Sequence, residues 1–317
     1  MQIGIIGCGR WGSLIAWYLH SLGHPVTLYG RPGSKSLEQL KSTRNNGLLT
    51  LPEEVVLTDS LQAVTAADTL ILSIPSQQLR ALLDTLRPLE LRNRAVVLCM
   101  KGLEAETGRR LSEIAKEGLP PSNTVAVWLG PGHVQDFYAG IPNCMVIDSD
   151  DEQTKERLIT AFSGPLIRFY YGNDLIGNEI GAAAKNVFGI AAGILDGLKL
   201  SSLKGALMSR GTREIARLIE AMGGNSQSAY GLCHLGDYEA TLFSPHSHNR
   251  RYGESLVTGK PFEKLAEGHA TARALHNLAA RYEVELPVCE AVYRVLYQGA
   301  DAGRAVSGLF DRALKEE

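Results

Sequence analysis

I-G-I-I-G-C-G-R-W-G-S-L-I-A-W-Y-L-H-S-L, residues 3–22, is the stretch that decides the fold of the first half of this chain. Ile3–Ile6 reads as a short buried strand, and Trp11–Leu22 as a helix with apolar residues at helical spacing. Between them, Gly7-Cys8-Gly9-Arg10-Trp11-Gly12 is G-x-G-x-x-G in the strand-to-helix setting that gives the pattern its meaning. Gly7 permits the tight turn, Gly9 lets a pyrophosphate approach the backbone, and Gly12 lets helix and strand close on each other. The phosphates would then meet the free N–H groups and the positive dipole end of the helix. The stretch therefore predicts a dinucleotide site.

Further strands follow at Val26–Tyr29, Leu70–Ile74, Ala95–Cys99, Val125–Leu129, Cys144–Ile147 and Leu166–Tyr170. Helix-like segments lie between them at Gln77–Leu86, Leu111–Lys116 and Glu152–Phe162. Strands separated by crossover helices predict an α/β fold with an N-terminal doubly wound, Rossmann-type parallel sheet. From about Asn173 the strand signals fade. Helical segments take over at Gly181–Leu195, Gly205–Met222, Phe262–Tyr282 and Pro287–Tyr297. The expected organisation is a dinucleotide-binding domain over 1–172 and a mostly α-helical substrate and catalytic domain over 173–317, with the cleft between them as the ligand site.

The end of the second strand discriminates the cofactor. An Asp or Glu there would serve the ribose 2′-hydroxyl of NAD. This chain has L-Y-G-R-P-G-S-K (28–35), with Arg31, Ser34 and Lys35 and no carboxylate. That set suits a 2′-phosphate, so NADP is favoured, with NAD possible.

In the helical half, G-A-A-A-K-N-V-F-G-I-A-A-G-I-L-D-G (181–197) sets Lys185 and Asn186 into a wall of small and apolar residues. An ammonium buried there needs a partner or a task. Desolvation lowers its pKa, making it a usable proton donor or acceptor near neutrality. The alternative is a lysine that snorkels to water.

Composition narrows the class. The chain has 317 residues, 44% hydrophobic and 21% charged, with a net charge of −2. Those values suit a globular protein with a sizeable core and offer no basic stripe for nucleic acid. Cys8, Cys99, Cys144, Cys233 and Cys289 are odd in number and scattered, which predicts a reducing, cytoplasmic setting without disulfides. The chain begins on a strand, so no secretory leader is expected, and the apolar run around Lys185 is too short and polar to insert into a membrane.

These residues together resemble the NAD(P)-dependent glycerol-3-phosphate dehydrogenases over nearly the whole chain. The resemblance rests on I-G-C-G-R-W-G (6–12), K-G-L-E (101–104), E-I-G-A-A-A-K-N-V (179–187), G-D-Y-E-A-T (236–241), H-N-R-R-Y-G (248–253) and E-L-P-V-C-E-A-V-Y-R-V-L-Y (285–297). It implies reversible reduction of dihydroxyacetone phosphate to sn-glycerol 3-phosphate, feeding glycerophospholipid synthesis. It also implies Lys185 as the proton donor/acceptor, Asp237 paired with it, and Lys101 as a second catalytic cation. Gly7, Gly9, Arg10, Trp11, Gly12, Arg31, Lys101, Val134, His248 and Glu267 would hold the dinucleotide. Lys101, Gly130, Asn186, Thr241, Ser247, His248, Asn249 and Arg250 would hold the substrate. A homodimer is the default assembly, two-fold dimers being the commonest soluble oligomers. The chemistry is coherent on its own terms: hydride delivered to a ketone makes an alkoxide, which needs a proton and nearby positive charge.

Two departures from the family stand out. His248 takes the place of an arginine that usually precedes the Asn of R-N-R and binds phosphate as a fork; a neutral imidazole offers one donor. W-L-G-P-G-H (128–133) stands where bacterial members read L-S-G-P-S-F, losing hydroxyls at Leu129 and Gly132. His133 or Arg250 is the expected replacement for the lost charge. A hydroxyacid dehydrogenase or ketoacid reductase of the same architecture is the nearest alternative, although there the Lys and Asn sit one helical turn apart rather than adjacent. A dinucleotide-sensing regulator on the same scaffold would need no Lys185–Asp237 pair. His246 and His248 alternate on one face near His234, but no carboxylate or cysteine sits at ligand spacing, so no metal is expected.

Overall fold

The computed structural model describes residues 1–313. They divide into two compact units, one of residues 1–100 and 111–175, the other of residues 101–110 and 176–317 less the undescribed end.

The first unit is built on an eight-stranded sheet: β1 Ile3–Ile6, β2 Val26–Tyr29, β3 Val56–Thr58, β4 Thr69–Leu72, β5 Ala95–Leu98, β6 Thr124–Leu129, β7 Asn143–Ser149 and β8 Ile167–Tyr171, in the order β3-β2-β1-β4-β5-β6-β7-β8. The order reverses beside β1, where a doubly wound sheet opens its ligand crevice. Strands β1, β4 and β5 are buried along their whole length, as parallel strands covered on both faces must be. Two features depart from the sequence expectation. Strand β3 is too short to show a period. The β6–β7 pair is antiparallel, because the connection 130–142 carries only the short helix Val134–Tyr138 and turns back instead of crossing over. The core beneath β6 to β8 centres on Trp128, whose ring lies 4.9 Å from Phe169 and 5.6 Å from Phe162.

The second unit is helical, with helices Leu175–Gly197, Lys204–Ala221, His248–Thr258, Glu267–Arg281, Pro287–Tyr297 and Ala302–Phe310. Residues 180–195 of the first of these are buried on every face, so this is the central helix. Small residues let its neighbours come close. A Cβ on Gly193 would lie 1.8 Å from the Arg250 carbonyl, and one on Gly253 would lie 2.0 Å from that of Ile190. Residues 101–110, which the range 1–172 includes in the first domain, belong to this unit. Leu103 is fully buried in its core. Asn277 donates to the carbonyls of Ala105 and Glu106, Arg281 to that of Thr107, and Arg110 pairs with Glu179 at 2.9 Å. The sequence boundary misses this because the segment sits between β5 and the helix Leu111–Gly118, inside the α/β alternation.

No helix of the described residues is long and apolar enough to cross a membrane.

Candidate active site

In the first unit, the candidate cofactor residues collect along one edge of the sheet, at the C-terminal ends of its parallel strands. Gly7 follows β1 with φ +116°, a conformation that favours glycine. A Cβ on Gly12 would lie 1.8 Å from the Gly7 carbonyl, so only glycine lets the helix Arg10–Ser21 start this close to the strand. Above Gly9 the space is open: a Cβ there would meet nothing within 4 Å. No side chain caps this helix at its N-terminus, which leaves its first turn suited to an anion. These observations fit a dinucleotide pyrophosphate. Arg10 donates to Gln135 at 3.3 Å, and Trp11 packs 6.1 Å from Phe137. The same edge carries Gly130, at φ +125° after β6, and Val134, which opens the helix Val134–Tyr138. Arg31 is exposed beyond β2, and Ser34 caps the helix Lys35–Thr43 through Leu37 N–H. Asp59, just past β3, is held 2.9 Å from Lys41.

The sequence reading overlooked Ser73–Ser76, which follow β4 on the same edge. A Cβ on Gly7 would lie 2.1 Å from the Ser73 carbonyl, so this backbone walls the glycine loop. Its signal was position: it follows the strand beside β1.

In the second unit, Lys101, Lys185, Asp237 and Thr241 meet. Lys185 sits mid-helix and Asp237 ends a short 3-10 turn, Leu235–Asp237. Thr241 lies in the single π-helical turn Glu239–Phe243. The Nζ of Lys185 and that of Lys101 each lie 2.7 Å from the same oxygen, Oδ2 of Asp237. Lys185 also donates to Oγ1 of Thr241 at 2.8 Å. Oδ1 of Asp237 is buried and has no hydrogen-bond partner among the described residues. Burial brings Lys185 down to about 8; the Lys101 charge adds to the fall, and Asp237 opposes it.

Beside this cluster runs a chain of amides. Asn186 donates to the Lys101 carbonyl at 2.8 Å and accepts from Asn249 at 2.9 Å, and Asn249 accepts from Gly268 N–H at 2.9 Å. The sequence reading gave Asn186 and Asn249 to substrate. The structure uses them to fasten the Lys101 segment to the helices at His248 and Glu267, with one amide hydrogen of each left over. Glu267 opens the helix Glu267–Arg281.

Ser247 caps the helix His248–Thr258, accepting from Arg250 N–H at 3.3 Å. His248 Nδ1 lies 3.2 Å from the Leu265 carbonyl. Arg250, expected as a replacement for the missing phosphate cation, has its guanidinium engaged within the protein. Its Nη1 donates to Asp196 at 2.6 Å and its Nε to the Ser244 carbonyl at 3.1 Å. Arg251 is exposed and stacks 5.9 Å from the Phe262 ring. Both ring nitrogens of His234, weighed above as a metal ligand, are engaged, by the Gly181 carbonyl and by Tyr238. A groove of about 940 Å³ elsewhere in this unit, walled by Leu207, Val292 and Leu309, contains none of the candidate site residues.

The glycine loop of the first unit is shaped for a dinucleotide, the cofactor of an oxidoreductase, and the second unit holds a buried lysine whose pKa is lowered. Comparison with known proteins narrows this. The profile described as NAD-dependent glycerol-3-phosphate dehydrogenase N-terminus matches residues 2–155, and that of the C-terminus matches residues 174–307. The chain is 38% identical to a glycerol-3-phosphate dehydrogenase [NAD(P)+] of Fusobacterium nucleatum, over 100% of this chain and 98% of that one. It is 36% identical to one of Desulfitobacterium hafniense, over 100% and 93%. The crystal structure of glycerol-3-phosphate dehydrogenase from Coxiella burnetii superposes with a TM-score of 0.92 at 29% identity, covering 98% of this chain and 99% of that one. The chain belongs to the family of NAD(P)-dependent glycerol-3-phosphate dehydrogenases.

Proposed function

We propose that this chain interconverts dihydroxyacetone phosphate and sn-glycerol 3-phosphate, with Lys185 as the proton donor in reduction and the acceptor in oxidation. The observation behind this reading is the pair of ammonium groups, Lys185 and Lys101, each 2.7 Å from one buried oxygen of Asp237. The nicotinamide, when bound, supplies the hydride. Reduction turns the ketone oxygen into an alkoxide, and Lys185 gives it a proton. An amine near 8 is mostly protonated at neutral pH yet parts with its proton readily. Lys101, beside the same carboxylate, offsets the growing negative charge. Asp237 and Thr241 fix the direction in which the Lys185 ammonium points.

The phosphate of the substrate needs donors. The N-terminus of the helix His248–Thr258, with His248 and Arg251, supplies N–H groups and positive charge. Gly7, Gly9, Gly12, Arg10, Trp11, Val134 and the Ser73 backbone hold the dinucleotide. Arg31, Ser34 and Lys35 favour its 2′-phosphate, and so NADP over NAD. The product feeds glycerophospholipid synthesis, and the enzyme works as a cytoplasmic homodimer. The deciding assay is the initial rate of NADPH oxidation with dihydroxyacetone phosphate, run beside NADH. Turnover that favours NADPH supports the reading. A folded, NADPH-binding protein that ignores this substrate but reduces a keto acid would replace it with the ketoacid reductase alternative.

A further inference from the structure

Two buried side chains bracket Asp237 and take no part in the chemistry above. His234 stands three residues before it and Tyr238 directly after it, and neither is exposed to solvent. Their side chains meet across the turn, Tyr238 Oη lying 2.7 Å from His234 Nε2. The other ring nitrogen, Nδ1, lies 2.8 Å from the Gly181 carbonyl, one helical turn before Lys185. A carbonyl only accepts, so Nδ1 carries the proton and Nε2 accepts from the tyrosine hydroxyl. The contact is close: a Cβ on Gly181 would lie 2.9 Å from that of His234. Asp237 N–H donates to the His234 carbonyl at 3.0 Å, which closes the turn from the backbone side. The carboxylate is therefore carried on a turn locked by one side-chain bridge and fastened by another to the helix that carries Lys185.

We propose that His234 and Tyr238 act as one positioning unit for the Lys185–Asp237 pair, holding the carboxylate where it sets the proton affinity of the lysine. The inference rests on the assignment of Lys185 as proton donor. The geometry explains why these groups are buried at all. Asp237 has one oxygen shared by two ammoniums and one with no hydrogen-bond partner among the described residues, so its own bonds hold it from one side only. A carboxylate so placed is kept there by its backbone, and the backbone is kept by His234. Burial holds His234 down to about 4, so the bridge stays in its neutral form across the working range of pH. The charged and polar groups facing Lys185 are Asp237, Lys101, Thr241 and the neutral His234 ring. Of these only Asp237 raises its pKa through charge, so a looser carboxylate lowers it further.

The test uses the whole enzyme and two readouts. Tyr238→Phe removes one hydroxyl, and His234→Ala removes the ring. In each, the alkaline limb of the pH profile for reduction moves down by about half a unit or more. kcat falls about tenfold, while KM for dihydroxyacetone phosphate stays within about twofold. The double variant loses no more than the worse single one, as expected of a unit. Phe188→Leu is the packing control. Its ring lies 5.6 Å from His234 and 5.8 Å from Tyr238, and its loss lowers Tm without moving the limb. An NMR titration of the Lys185 ammonium, assigned by Lys185→Arg, follows the same shift without turnover. An unchanged titration in both variants, or a shift of equal size in Phe188→Leu, overturns the proposal. Turnover that survives Lys185→Ala would instead remove the proton-donor role and leave the titration to judge the positioning unit alone.

Discussion

The second unit contains the same triad twice, with opposite outcomes. Asp237 is flanked by Lys101 and Lys185, and Asp196 by Lys204 and Arg250. Each has one carboxylate oxygen shared by two cations within 2.8 Å. Around Asp196 every charge has further partners: Ser201 donates to its other oxygen at 2.6 Å, Lys204 donates to the Leu242 carbonyl, and Arg250 to that of Ser244. Its carboxyl is held below the usual range, against the upward push of its own burial, by these hydrogen bonds. Around Asp237 the second oxygen has no hydrogen-bond partner among the described residues, and Lys185 is brought down to about 8. Satisfied charges pin helices together, whereas a buried polar atom short of a partner marks a candidate functional cluster. Charge count alone does not separate the two clusters; the second carboxylate oxygen does, held by Ser201 in Asp196 and without a hydrogen-bond partner among the described residues in Asp237.

The comparison breaks most visibly at the lysines. Lys185→Ala should lower kcat/KM for reduction by about 10²- to 10⁴-fold, the usual worth of a placed general acid, with Tm changed little. Lys204→Ala should do the reverse, lowering Tm and leaving kcat/KM per folded molecule within a few-fold. Initial rates and thermal melts on the two variants decide it; equal catalytic losses would mean that both triads serve the reaction.

The carboxylates give the next effect. Asp196→Ala takes the nearest carboxylate from two mostly buried cations, leaving Arg250 only the more distant Glu254 at 3.8 Å, and should cost about 3 kcal/mol of stability, read from denaturant midpoints. Asp237→Asn keeps the shape but removes the charge that raises Lys185, so its pH profile should shift to lower pH while the Asp196 variant keeps the wild-type profile. If both profiles stay fixed, Asp237 does not set the lysine.

A smaller, graded effect comes from pH itself. With Lys185 as the proposed proton donor, reduction needs it protonated, so its rate should fall about tenfold per unit above pH about 8. Oxidation of glycerol 3-phosphate needs the neutral amine, so its rate should rise over the same span and level off beyond it. A common pKa in opposite directions marks one group; limbs that move together would point to an ionisation of the cofactor site or of the fold.

Much of this was legible in the sequence where a residue type and its local setting agree. Gly7, Gly9 and Gly12 between a strand and a helix spelled the loop, and a lysine in an alanine wall had few explanations. What could not be read were relations made by tertiary packing. Strand β3 has three residues, too few for a period. Residues 101–110 look like a strand-to-helix connection, and only Leu103 burying itself in the helical core reveals their allegiance. That Asn186 and Asn249 are each other's partners is nowhere local in the sequence. Arg250 looked free for phosphate because Asp196 is distant in sequence and adjacent in space. Tyr238 carried no signal, since a tyrosine after an aspartate is unremarkable until a histidine meets it.

Arg250 also decides the last test. If it were available to the substrate phosphate, restoring an arginine at position 248 would add little. Its guanidinium is held by Asp196 and the Ser244 carbonyl, while His248 offers a single imidazole at a helix N-terminus. A guanidinium fork there adds a charge-assisted bond worth about 1.5–3 kcal/mol before the loss of its freedom is counted. His248→Arg should therefore lower KM for dihydroxyacetone phosphate by about threefold to tenfold, with kcat little changed. A change of less than threefold would mean that the lost charge is already compensated, and Arg251, exposed on the same helix, is then the cation to remove.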